Sequence, residues 1–138
     1  MAWVAENTPA DSTFLVISER FWAGDRVAEW FPVLAQRHNL DTVQGTEWLP
    51  KDRGFWATME AYENAQQCGG RDGGCLLGWA NEFGAFDYVY LPKTLGGTYN
   101  DGTESYCCSA LRLELRTDPA FKLVYDGPGA TVFQRNGG

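Results

Sequence analysis

Two Glu-Trp dipeptides, Glu29-Trp30 and Glu47-Trp48, are the residues best suited by type to recognise a ligand. An indole face stacks on the C–H face of a sugar ring, and a neighbouring carboxylate accepts from its hydroxyls. Both pairs, with Arg37 between them, are therefore read as candidate glycan-binding residues. The competing reading gives the tryptophans to packing and the glutamates to helix caps or to pairs with Arg37. Glycoside hydrolysis needs two carboxylates at a defined separation. Among 18 acidic residues the sequence singles out no such pair, so no catalytic residue is assigned.

The four cysteines, Cys68, Cys75, Cys107 and Cys108, are an even number with no CxxC spacing and a single histidine, which argues against a zinc site and for disulfides. Glycines between Cys68 and Cys75 allow the chain to turn tightly enough for those two sulfurs to meet. Links from either of them to Cys107 or Cys108, or some reduced thiols, stay open. Disulfides point to an oxidising compartment. A thiol nucleophile at Cys107 or Cys108, with His38, the one histidine in the chain, as base, is the remaining enzyme hypothesis. No GxGxxG, Walker, GxSxG or HExxH motif occurs, and nothing calls for a metal or an organic cofactor.

These residues must be positioned by a single domain spanning residues 1–138. The chain is 44% hydrophobic and 14% aromatic with 6 Trp, enough for one core. A net charge of −7 with no Lys/Arg cluster excludes nucleic acid and anionic lipid as natural partners. No apolar run reaches the length of a membrane span. Residues 2–7 read as the tail of a helix that began upstream, with Met1 added to start a fragment.

Residues 13–18 read as a buried strand, residues 40–44 as a second and residues 86–91 as a third. Glu47 and Trp48 then stand just past the carboxyl end of the second strand, where open α/β sheets bind ligands. Helical stretches follow Gly24-Asp25, with Pro32 dividing one from the next, and recur at Phe55/Met59/Tyr62 and at Leu76/Trp79/Ala80/Phe83. Residues 96–102 read as an exposed loop, residues 105–116 as a helix, and residues 121–125 and 130–135 as a hairpin about Gly127-Pro128-Gly129. The alternation predicts an α/β fold: a three-layer αβα sandwich with a mostly parallel sheet and a C-terminal antiparallel hairpin.

Residues 3–9 (WVAENTP), Phe14-Leu15-Val16, Glu29-Trp30-Phe31-Pro32, Arg37, Gln44-Gly45-Thr46-Glu47-Trp48, Tyr88-Val89-Tyr90 and Leu123-Val124-Tyr125 together form a pattern. It resembles the C-terminal soluble region of bacterial polytopic membrane proteins similar to the GT-C glycosyltransferase superfamily. The resemblance implies an extracytoplasmic domain following the last transmembrane helix, with the membrane portion of the same chain as partner and a glycan or lipid-linked sugar acceptor as a further one. Catalytic acids of that superfamily lie in loops near the membrane helices, so the resemblance implies a non-catalytic accessory role here. The alternative is a free-standing periplasmic or secreted carbohydrate-binding or hydrolytic domain.

Overall fold

The computed structural model describes residues 1–50, 54–93, 95–98 and 104–137. Helix α1 (Ala2–Asn7) leads into β1 (Thr13–Val16), a 3-10 turn Trp22–Gly24, α2 (Arg26–Ala35) and β2 (His38–Asn39). Helices α3 (Phe55–Gln67) and α4 (Gly73–Phe83) precede β3 (Tyr88–Pro92). A two-stranded ribbon, β4 (Leu95–Thr98) with β5 (Glu104–Tyr106), is followed by α5 (Ser109–Leu115), β6 (Phe121–Asp126) and β7 (Ala130–Arg135).

The main sheet runs β2-β1-β3-β7-β6 and is mixed: β1 pairs in parallel with β2 and β3, whereas β7 pairs antiparallel with β3 and β6. This corrects the mostly parallel expectation. The closing hairpin does not decorate an edge with one strand; it inserts β7 directly against β3, and a short connection can only make an antiparallel pair. Its two ladders are also the longer ones.

From Phe14 onward β1 is apolar because both faces are covered. Phe14 and Val16 join a cluster with Val4, Ala28, Phe31, Ala35 and Val132, while Leu15 and Ile17 join one with Ala61, Ala65, Leu76, Trp79, Leu111 and Leu115. In the first cluster Phe14 stacks on Tyr88 with centroids 4.9 Å apart, and Phe31 meets both Phe14 and Tyr90 at 5.1 Å. In the second, the Trp79 indole donates to Ala61 O at 2.8 Å, tying α4 to α3.

Four local expectations need correction. Pro32 neither divides nor ends α2, which runs through it as one helix. The carbonyl that a proline leaves without its i+4 donor is that of Ala28, and the Thr42 hydroxyl donates to it at 3.3 Å. The second strand lies earlier than residues 40–44, at His38–Asn39, although Leu40 N–H still donates to Phe14 O at 2.9 Å. Residues 105–106 belong to β5 and not to a helix, so α5 begins only at Ser109. Gly96-Gly97-Thr98 lies in β4 rather than in a loop, and the remainder of that expected loop lies outside the described residues.

Cys68 and Cys75 form the expected disulfide. The segment between them permits another close approach: a Cβ on Gly73 would stand 2.0 Å from Asp118 Oδ2 and 2.9 Å from the Phe121 ring, so only glycine lets α4 start against β6. Closing a loop this short restricts the unfolded chain modestly, so the double variant C68A/C75A is expected to lose about 2.5 kcal/mol. Urea denaturation measures this, and an unchanged midpoint would contradict it.

Candidate functional site

The helices that follow β1 and β2 cover opposite faces of the sheet. Helix α2 packs on the Phe14/Val16 side, and α3 with α4 supply the Leu15/Ile17 side. With β2 and β3 flanking β1, the connections diverge at the carboxyl ends of β1 and β3, the position where open α/β sheets bind ligands. Three groups of side chains gather at this end.

The first is a buried polar network. Asp25 caps α2 by accepting from the amides of Val27 and Ala28 at 3.1 and 3.0 Å, and its other oxygen receives the hydroxyls of Ser18 and Tyr62. Gln66 accepts from the amides of Ser18 and Glu19 and donates to Val16 O and to Asp41 Oδ2 at 3.0 and 3.1 Å. Asp41 is fully buried. Burial, and secondarily the charge of Asp25, pushes its carboxyl up to about 8. Its Oδ1 and the Oε1 of Gln44 are buried with no hydrogen-bond partner. Burial and the bond to Asp25 likewise raise the Tyr62 phenol. Nothing in the sequence but two acidic residues inside apolar stretches hinted at this network.

The second group is an aromatic shelf. Phe21 touches Trp22, Trp22 meets Phe55 edge-on at 5.5 Å, and Phe55 meets Trp56 edge-on at 5.1 Å. Gln44 donates to Trp22 O at 2.5 Å, fastening the loop after β2 beneath this row. On the same loop Leu49 lies against Gly54, while Glu47 folds back to accept from Gly45 N–H at 2.6 Å. Phe21 is 71% exposed, Trp48 91% and Trp56 60%, so these rings are presented to solvent rather than packed.

The Glu-Trp residues are thereby separated. Glu47 and Trp48 lie on the loop whose Gln44 bonds to Trp22 O, whereas Glu29 and Trp30 lie on α2, and no ring contact among the described residues joins Trp30 to Trp48. Arg37 is buried and points elsewhere. Its guanidinium donates to Thr8 Oγ1 at 3.0 Å and to the carbonyls of Ala5, Thr8 and Gln36. The aromatic residues that sequence reasoning passed over, Phe21, Phe55 and Trp56, carried only a general signal: large rings beside glycine-flanked turns.

The third group is covalent. Cys107 and Cys108, neighbours in the chain, are joined to each other, and no free cysteine remains. That removes the thiol nucleophile in this state, and His38 lies exposed on β2. Both sulfurs lie against Ile17 O, at 3.4 and 3.2 Å, and Cys108 N–H donates to Glu19 Oε2 at 2.9 Å. Arg112 closes the far side by donating to Cys107 O and to Pro92 O, the latter at the end of β3.

At the opposite, amino-terminal end of the strands a polar hollow of about 500 Å³ is lined by Asp11, Asp87, Lys122 and Arg135 among others, with Asp87 already accepting from Thr13. No helix is long and apolar enough to cross a membrane among the described residues. Compared with protein-family models, curated proteins and solved structures, the chain matches none.

Proposed function

We propose that this chain is an extracytoplasmic, non-catalytic accessory domain of a membrane glycosyltransferase-like protein, binding a glycan or lipid-linked sugar acceptor on the aromatic shelf. The observation that carries the reading is the row Phe21, Trp22, Phe55 and Trp56, whose end rings Phe21 and Trp56 are exposed while Trp22 and Phe55 pack against the Phe14/Val16 cluster, together with the exposed Trp48 on the loop after β2. Rings left this exposed on a monomeric surface mark a binding face. The neighbouring carboxylate of Glu47 supplies a hydroxyl acceptor. Two disulfides support an oxidising compartment. Helices on both faces of the sheet support the three-layer αβα sandwich as the architecture that holds the shelf.

Glycan-array binding followed by titration tests the site. W48A and W56A are each expected to weaken glycan binding at least about fivefold, the loss of one stacking contact, while W30A leaves it unchanged. Stability should move by no more than about 0.5 kcal/mol because the rings are exposed. Absence of any glycan ligand, or equal binding by all three variants, would remove the site. The attachment to a membrane portion is tested by the parent reading frame: apolar helices directly upstream of Ala2 support it, and a signal peptide there overturns it in favour of a free-standing exported domain.

A further inference from the structure

We propose that Glu19, Cys107 and Cys108 are a thiol-gated site for a soft divalent cation, closed while the cysteines are joined and opened when a dithiol reduces them. The carboxylate oxygen and the two sulfurs lie within 4.8 Å of one another, although the contributing segments are far apart in sequence. While joined, the two sulfurs are too close together to act as two ligands, but once reduction frees them to part, two thiolates and a carboxylate suit Zn²⁺ or Cd²⁺.

The backbone is bent to hold them together. Glu19 (φ 56°) and Cys108 (φ 63°) both occupy the left-handed region, which costs non-glycine residues free energy and concentrates at functional sites. Space for the Glu19 side chain is reserved by Gly69, where a Cβ would stand 2.4 Å from Glu19 Cγ. Gly69 is itself pinned, since it follows Cys68 of the other disulfide. A merely structural cross-link between adjacent residues would require neither the carboxylate nor the cleared space.

The chemistry balances. A dithiol R(SH)₂ gives two electrons and two protons to the Cys107–Cys108 bond, leaving two protein thiols and a cyclic R disulfide. Binding of M²⁺ then displaces both thiol protons and forms two sulfur–metal bonds, with Glu19 as third ligand. Two thiolates and one carboxylate carry three negative charges. Arg112, whose charge acts on Glu19, offsets one and the dication the other two. Because the site lies between the ends of β1 and β3, its opening alters the surface where a ligand would sit, yet it does not depend on the shelf binding a glycan.

The test uses the whole domain, reduced with a phosphine and titrated with Cd²⁺. One Cd²⁺ per chain is expected, with a thiolate-to-cadmium charge-transfer band that appears only after reduction. C107S/C108S should abolish the band, and E19Q should weaken binding about tenfold. In the reduced wild-type chain, Cd²⁺ should protect Cys107 and Cys108, but not Cys68 and Cys75, from alkylation mapped by peptide mass; this needs no variant to fold. No uptake by the reduced chain, protection of Cys68 and Cys75 instead, or full affinity in E19Q would overturn the proposal.

Discussion

Replacing Asp41 with asparagine is expected to stabilise the domain at alkaline pH and to flatten its stability between about pH 4 and 8. Asp41 is wholly buried, and its carboxyl is pushed up to about 8 by that burial and by Asp25. An aspartate in the unfolded chain titrates near 3.9. The folded state therefore holds a proton that the unfolded state has released across this window, so stability is fully present below about pH 4 and is lost as pH rises through 8. The slope integrates to a few kcal/mol, on the order of 1.4 kcal/mol per pH unit at its steepest. Asparagine keeps the shape and cannot ionise, and its amide retains a donor and an acceptor for Gln66 and Asn39. Urea midpoints of D41N and wild type at pH 4.5 and 8.5 should converge at the acid end and separate at the alkaline end. Parallel curves would show that Asp41 is not the titrating group. Asp126 cannot mimic the effect. Lys93 and Arg116 hold its carboxyl below the usual carboxylate range, so its contribution is present above the ordinary carboxylate value and lost only in stronger acid.

The same residue shows why the second strand was misplaced. Residues 39–43 do alternate, but the buried set is Asn39, Asp41 and Val43, while Leu40 is only half-buried. Hydrophobicity assigns the phase by apolar residues. Here it was set by two polar side chains with distant partners: Asn39 accepts from Val16 N–H at 3.3 Å and donates to Thr42, which in turn reaches the carbonyl freed by Pro32, and Asp41 accepts from Gln66 of α3. A local pattern cannot encode a partner in another helix. Elements with a strong period of their own were legible: α3 and α4 contain the spaced residues that marked them, and the β6–β7 hairpin lies at nearly the expected bounds. The mixed sheet was not, because nothing in the 130–135 segment states that it will lie beside β3.

At the candidate site the sequence identified residue types without their grouping. Trp48 and Glu47 lie on the loop that follows β2, both exposed, with Trp48 91% exposed. Trp30 shares its dipeptide but lies on α2, because helical phase, not composition, turned it outward there: Phe31, its neighbour, is fully buried. The bond between Cys107 and Cys108 could not be read from spacing, since adjacent cysteines are equally able to reach separate partners. It depends on the left-handed turn at Cys108, a property of the backbone.

Arg37 illustrates the reverse case, a charged residue that looks functional and holds the fold, and R37A is expected to cost about 4 kcal/mol. Helix α1 has six residues, far below the length at which a helix persists alone. What fixes it is tertiary: Val4 buried in the core, Trp3 stacked on Tyr125 at 4.7 Å, and the guanidinium of Arg37 gathering Ala5 O, Thr8 O and Thr8 Oγ1 at the helix's carboxyl end. Alanine would leave those acceptors buried without a donor and remove three charge-assisted bonds, each worth about 1.5 kcal/mol or more. Lysine restores the charge but not the fork that reaches several acceptors at once, so R37K should recover less than half of the loss. Urea denaturation gives the magnitudes, and amide hydrogen exchange gives the place: residues 4–8 should open in R37A before the sheet does. Uniformly faster exchange would assign Arg37 to the whole core instead.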